Sequence, residues 1–203
     1  MKNSITFITL CLFILTSMES SAQEKFATYD NTYIGETYDI KLSLEEEELY
    51  IDAVSFDELY DKGGIKISKK QAPDFLNAIA EAKTKYKEWV KVAKENDVLE
   101  LNKSMDIKSK VGSYFLYNRE WKSQLSVELN FDFQILEVEG ELIYLLNIST
   151  GELRASSNDN LFVNGFSLIF CSENEIEAFT NEISRQKIEA FIAKPKEKEL
   201  FKN

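Results

Sequence analysis

Residues 125–135 alternate without a break between apolar and polar side chains, and this pattern restricts the fold more than any other. Its apolar positions are Leu125, Val127, Leu129, Phe131, Phe133 and Ile135. A period of two places alternate side chains on opposite faces of an extended chain, whereas a helix needs apolar positions three and four apart. The segment is therefore predicted to be one long strand that buries one face in a core.

Shorter apolar runs predict further strands, and glycine or charged turns separate several of them. Residues 142–148 are almost wholly apolar, which is typical of a central strand that is covered on both faces. Gly140 and Gly151 stand on either side of this run and predict turns. The remaining strands are predicted over residues 40–44, 49–54, 65–68, 153–156 and 166–171.

Two segments carry apolar residues at helical spacing. The first runs from Pro73 to about Asn96, and its buried stripe is predicted to comprise Phe75, Ile79, Ala82, Tyr86, Trp89, Val90 and Ala93. The second begins with a capping box, Ser172 with Glu175, and is expected to stop at Pro195. Its stripe comprises Ile176, Phe179, Ile183, Ile188, Phe191 and Ile192.

These elements predict an α+β fold, in which an antiparallel twisted sheet of about seven to nine strands packs against two amphipathic helices. The order is strands, helix, strands, helix. Residues 64–68 lead to Phe75 and Ile79, and residues 165–169 lead to Phe179 and Ile183. This parallel is read either as a weak internal duplication or as two unrelated strand–helix units.

The first 22 residues have the features of a signal peptide. A basic start is followed by an apolar run, residues 5–15, and then by small residues before Gln23. The apolar run is too short to span a bilayer. We therefore expect cleavage after residue 22, a polar lead-in over residues 23–36, one domain over 37–194 and a charged tail over 195–203. The mature protein is expected in the periplasm or outside the cell, with no membrane span.

The residue counts exclude several classes of function. The chain has 203 residues and no histidine, which removes Ser-His-Asp and Cys-His nucleophiles and His-ligated zinc. A net charge of −11 argues against nucleic acid as a partner. Of the two cysteines, Cys11 would leave with the signal peptide, so Cys171 would have no disulfide partner. No glycine-rich cofactor loop and no Ser-x-x-Lys motif involving Ser104 or Ser109 is found, and no cofactor is predicted.

Carboxylates are abundant near one turn, over Glu45–Glu48, at Asp52 and over the acidic loop Asp57–Asp61. Two carboxylates held about 5 to 10 Å apart could hydrolyse a glycan. Nothing in the spacing places such a pair in a cleft, and charges beside turns are usually solvated. The oxygen-rich loops lack calcium-binding spacing, so the sequence predicts neither catalytic residues nor a metal site.

Two groups of residues are candidates for a binding surface. Lys83, Lys87, Lys91 and Lys94 form a basic stripe on the first predicted helix. Tyr117 and Trp121 belong to an aromatic cluster that could stack on sugar rings if exposed.

The sequence favours an exported, non-enzymatic binding module, whose partner would be an anionic glycan, a lipid headgroup or an envelope protein. Two other readings stay open. One is a carboxylate-dependent hydrolase that acts on envelope glycans, and the other is a structural component that assembles through a sheet edge.

Overall fold

The structure is a computed structural model, and it describes residues 23–55, 57 and 59–200. The predicted signal peptide, residues 1–22, lies outside the described residues. The described chain contains thirteen strands and three helices, and every recorded strand pairing is antiparallel. The predicted α+β class with antiparallel sheet is confirmed.

Six strands form the larger sheet, sheet A. In spatial order they are β1 (Gln23–Asn31), β2 (Glu36–Ser43), β3 (Glu48–Asp52), β5 (Gly63–Ser68), β7 (Lys110–Tyr117) and β8 (Glu120–Glu128). Sheet B has the order β4 (Val54–Ser55), β13 (Phe166–Phe170), β10 (Glu141–Ser149), β9 (Asn130–Val138) and β6 (Leu101–Ser104). A separate hairpin pairs β11 (Leu153–Ala155) with β12 (Asn158–Val163).

The strand number exceeds the predicted seven to nine in part because two predicted strands are each divided where the chain passes directly from one large sheet to the other. Ala53 separates β3 of sheet A from β4 of sheet B, and Leu129 separates β8 from β9. The alternation over residues 125–135 therefore belongs to two successive strands. Both linking residues are buried, so the hydrophobic pattern continues through each link and hides it in the sequence.

One position of that alternating run is not in the core. Leu125 is 71% exposed, whereas the five apolar positions that follow it are buried. A register irregularity between Val111 and Ser113 accompanies this change, since the pairing of β7 with β8 shifts there. A bulge of this kind re-aims the side chains beside it. The prediction that Leu125 is buried is wrong for this reason.

The segment expected as a polar lead-in contains a strand. Residues Gln23–Asn31 form β1, which pairs with β2 along most of its length and lies at an edge of sheet A. Tyr29 anchors the strand, because its ring is buried against Phe170 and Phe179. Only Tyr29 and Asn31 of this strand are buried and its other side chains are half-buried or exposed, so the sequence shows little hydrophobic alternation.

Helix α1 (Ala72–Glu95) agrees with the first predicted helix within one residue at each end. Its buried residues join side chains of both large sheets in one main core. Phe133 of β9 is at the contact, with ring centroids 5.8 Å from Tyr86 and 5.7 Å from Trp89. The Tyr86 hydroxyl donates to the backbone oxygens of Tyr144 and Cys171, which ties the helix to sheet B and to the end of β13.

The second helical region is divided into α2 (Glu173–Glu182) and α3 (Arg185–Leu200). Ser172 caps α2 by accepting the Glu175 backbone N–H at 3.2 Å, as predicted. The Glu175 carboxylate accepts from the Cys171 backbone N–H, one residue before the position that a capping box uses. Pro195 does not end the region as predicted, because α3 continues through it into the expected tail.

The two segments of the suspected duplication each form a strand followed by a helix. Strand β5 directly precedes α1, and β13 directly precedes α2, as the two similar sequence segments predicted. The two strands lie in different sheets. In the described part of the chain, no helix is long and apolar enough to cross a bilayer.

Candidate functional site

The basic stripe on α1 faces carboxylates of α2. The Lys83 ammonium lies 2.8 Å from Glu177 and 4.0 Å from Glu173, and the Lys87 ammonium lies 3.2 Å from Glu173. Lys83 lowers the pKa of the Glu177 carboxyl through a hydrogen bond and its charge. These contacts join the two helices, so an anion arriving at Lys83 or Lys87 would compete with carboxylates of the same chain.

The other half of the stripe also has local partners. Lys91 lies 3.8 Å from Glu95 one turn along the same helix. The Lys94 ammonium lies over the Tyr144 ring, 5.2 Å from its centroid. Such contacts are typical of a solvated helix face that supports its own packing.

The two aromatic candidates lie on opposite faces of sheet A. Trp121 pairs with Leu116 across the β7–β8 hairpin, and Tyr117 is the next residue after Leu116, so its side chain points to the other face. Tyr117 stacks on Tyr60 with ring centroids 4.5 Å apart. Trp121 is 59% exposed, and the centroid of its ring lies 5.7 Å from that of Tyr114. The structure therefore does not bring Tyr117 and Trp121 into one site.

Trp121 belongs to a row of three aromatic rings on the outer face of sheet A, the aromatic row of Tyr50, Tyr114 and Trp121. The Tyr50 and Tyr114 rings meet edge to face with centroids 5.2 Å apart. Both tyrosines are buried, and only Trp121 offers a large open surface. The row crosses the sheet from β3 to β8, and the intervening β5 places Lys66 opposite Tyr50 and Gly64 opposite Tyr114.

A carboxylate fixes the buried part of this row. The Tyr114 hydroxyl donates to Oδ1 of Asp52, and the Lys41 ammonium lies 2.6 Å from Oδ2. Burial, followed by the Asp52 charge, raises the pKa of the Tyr114 hydroxyl, so it stays protonated and remains a donor. The Tyr29 hydroxyl reaches the same residue from the core and donates to the Asp52 backbone oxygen at 3.0 Å. This network fixes the position of the Tyr114 ring, which Trp121 contacts.

A groove of about 820 Å³ opens where the end of sheet A meets the start of α1. Four lysines line it: Lys66 on β5, Lys70 just before α1, and Lys108 and Lys110 at the start of β7. We call it the basic groove. None of these lysines belongs to the stripe that the sequence singled out. The lining contains four lysines and three acidic residues, which leaves a small excess of positive charge in a chain of net charge −11.

Local alternation explains why two of these lysines point the same way. From Ile107 to Lys110 the side chains alternate in burial, with Ile107 and Ser109 buried and Lys108 and Lys110 exposed. The buried side chains are held in the core, so Lys108 and Lys110 must face outward together. Ser109 adds an unusual feature, because it is 5% exposed and its Oγ has no hydrogen-bond partner among the described residues.

Only one groove lysine has an acidic partner in the described chain. The Lys66 ammonium lies 2.7 Å from Glu48 and 5.5 Å from the centroid of the Tyr50 ring. No described carboxylate forms an ion pair with Lys70, Lys108 or Lys110. These three ammonium groups are therefore available to a ligand.

The lining also contains acidic groups and an apolar surface. Asp74 and Glu81 lie on the α1 side of the groove, and Glu81 pairs with Lys85 at 2.9 Å. The exposed Leu125 side chain lines the opposite side, and Gly112 leaves the floor beside it without a side chain. The groove is thus amphiphilic, with cations, hydrogen-bond acceptors and an apolar strip.

Glu48 and Asp52, two carboxylates beside the predicted turn, are not arranged as a hydrolytic pair. Glu48 and Asp52 share the outer face of β3, but four residues of strand separate their Cα atoms by about 13 Å. Each carboxylate also pairs with a lysine, Glu48 with Lys66 and Asp52 with Lys41. Within the described residues, no group of three or more acidic or cysteine side chains is placed to hold a metal ion.

Sheet B carries a polar patch that the sequence did not indicate. Burial raises the pKa of the Asp132 carboxyl, which lies opposite Asn147 in the β9–β10 pairing. The Asn147 Oδ1 and the Ser167 Oγ on the same sheet are buried and have no hydrogen-bond partner within the described part of the chain. The patch does not line the basic groove.

Cys171 has the character of a structural thiol. It is half-buried, and burial raises the pKa of its thiol, which opposes activation at the start of α2.

The groove lysines had only a weak signal in the sequence. Lys69-Lys70 stands before a predicted helix, and Lys108-x-Lys110 alternates with buried residues.

Comparison with known proteins adds no relative to this description. The chain matches no protein-family model, no curated protein and no solved structure.

Proposed function

We propose that this protein is a non-enzymatic binding module and that its ligand is an anion held in the basic groove. One observation carries the proposal: Lys70, Lys108 and Lys110 converge on an open groove of about 820 Å³ without an acidic partner among the described residues. In a chain with an excess of acidic residues, three lysines without an acidic partner offer favourable contacts to an anion.

Simple electrostatics sets the strength of this site. An exposed ammonium contributes about 0.2 to 1 kcal/mol to a contact with an anion, so three lysines together supply about 0.6 to 3 kcal/mol. Hydrogen bonds and apolar contacts must supply the rest of a useful affinity. Because exposed charges are screened by ions, binding should weaken as salt rises.

The hydrolase reading is not proposed, since Glu48 and Asp52 are each paired with a lysine and stand far apart along β3. The α1 stripe is a weaker candidate than the groove because Lys83 and Lys87 already contact Glu173 and Glu177.

Charge reversal in the groove tests the proposal. Replacing Lys70, Lys108 and Lys110 together with glutamate should weaken binding of dextran sulfate at least tenfold, which corresponds to about 1.4 kcal/mol. The measurement is isothermal titration at low and physiological salt, with circular dichroism to verify folding.

A matched triple variant provides the control. Lys87→Glu, Lys91→Glu and Lys94→Glu change the net charge by the same amount on α1, away from the groove. This variant should lose only the small affinity that a general change of charge removes. Equal losses in the two variants, or a larger loss in the α1 variant, would contradict the proposal.

We further propose that the protein is exported and that residues 1–22 are removed. Support comes from the signal-like sequence of residues 1–22, with its basic start, its short apolar run and the small residues before Gln23. Mass spectrometry of the protein from cell fractions should find Gln23 at the amino terminus in the periplasm or the medium. A cytoplasmic protein that retains Met1 would refute export.

A further inference from the structure

The basic groove and Trp121 lie on the same face of sheet A and are linked by contacts between neighbouring side chains. Lys66 lines the groove and lies 5.5 Å from the Tyr50 ring, Tyr50 contacts Tyr114, and Tyr114 contacts Trp121. Along β7, Gly112 lies in the groove and Leu116 pairs with Trp121, so their Cα atoms stand about 13 Å apart. A ligand that spans this distance could contact both ends.

The two ends offer different chemistry. At the groove, unpaired lysines favour a negative group. At the other end, Trp121 is 59% exposed and rests on the buried Tyr114, which itself is held by Asp52. A supported indole offers a rigid apolar face with little loss of side-chain entropy on binding. The surface therefore suits an extended ligand that has both anionic groups and apolar ring faces.

The acidic residues of the groove distinguish between two extended anions. Glu48, Asp74 and Glu81 line it together with the lysines. Carboxylates accept hydrogen bonds from sugar hydroxyls, but they repel the closely spaced phosphates of a nucleic acid. The net charge of −11 also repels a nucleic acid, and it does so over longer distances than the groove carboxylates. A chain that carries hydroxyls as well as carboxylates on its sugar rings fits this mixed lining better than a chain whose exposed polar groups are mainly phosphates.

We propose that the ligand is an acidic polysaccharide, with a carboxylate or sulfate at Lys70, Lys108 and Lys110 and one sugar ring stacked on Trp121. This inference rests on the proposed anion-binding function and adds the ligand class and a stacking residue. Leu125, which is 71% exposed, contacts the apolar edge of the chain where it leaves the groove.

The test compares four probes on the full mature chain: an oligogalacturonate, its methyl-esterified neutral form, inorganic phosphate and a single-stranded oligonucleotide. The oligogalacturonate should bind most tightly and should protect Trp121 from acrylamide quenching. Trp121→Ala should weaken its binding about fivefold and leave phosphate binding unchanged, whereas Trp121→Phe should retain part of the affinity.

Phe162→Ala is the matched control, because Phe162 is also an exposed aromatic residue, at 53%, and does not line the groove. If Trp121→Ala binds the oligogalacturonate as tightly as the wild type while the triple groove variant does not, the stacking assignment is wrong and the groove proposal stands. If the oligonucleotide binds more tightly than the oligogalacturonate, the ligand class is wrong. If neither phosphate nor the oligogalacturonate binds, both proposals fail.

Discussion

Replacing Phe133 with alanine is expected to lower the free energy of unfolding by about 3 to 5 kcal/mol. Phe133 is fully buried at the middle of β9, and its ring contacts Tyr86 and Trp89 of α1. Removing the ring leaves a cavity between the helix and sheet B that rigid strands on either side cannot close. Urea unfolding followed by circular dichroism measures the change.

Phe162→Ala again supplies the control, since Phe162 lies on the exposed hairpin and should cost about 0.5 kcal/mol or less. A loss below about 1 kcal/mol for Phe133→Ala would mean that α1 is not packed on β9 as described.

The second large effect is expected at Gly165, where the chain enters β13. Its φ is +94°, and a Cβ there would lie 1.8 Å from the Gly151 backbone oxygen and 2.6 Å from the Thr150 Oγ1. The Thr150 Oγ1 also accepts the Phe166 backbone N–H, so the side chain cannot move away without loss of that bond. Gly165→Ala should therefore destabilise the protein by about 3 kcal/mol or more.

Gly140→Ala separates the two causes of that loss. Gly140 has a similar φ of +87°, but no atom lies within 4 Å of the Cβ position. Its substitution should cost only about 1 kcal/mol, the strain of a left-handed backbone. Thermal unfolding of both variants gives the comparison, and equal losses would show that the close approach to Gly151 is unimportant.

The fold class could be predicted because burial leaves a periodic signal. The alternation around Phe131 and the helical spacing from Phe75 to Ala93 were both confirmed as a strand and a helix. Strands β1, β6 and β12 were missed because they are short, polar or at an edge, where few side chains need to be apolar. The β7–β8 hairpin was also hidden, since its turn residues Asn118 and Arg119 adopt positive φ without a glycine.

The site could be predicted only in part. The sequence singled out Trp121 and the stripe around Lys87, and the structure places Trp121 on an open face. The partner of Lys87, however, is Glu173, 86 residues away, and no local pattern indicates that contact. Lys70 and Lys110 were overlooked for the same reason, because their segments meet only after sheet A has formed.

The sequence by itself determined which stretches extend, which coil into helices and which catalytic designs are absent, because these depend on residue type and local period. The tertiary structure decided which charges are neutralised and which stay open, because an ion pair depends on distances between segments that are remote in the chain. Carboxylates of α2 form ion pairs with Lys83 and Lys87. Lys70, Lys108 and Lys110, which line the basic groove, have no acidic partner among the described residues.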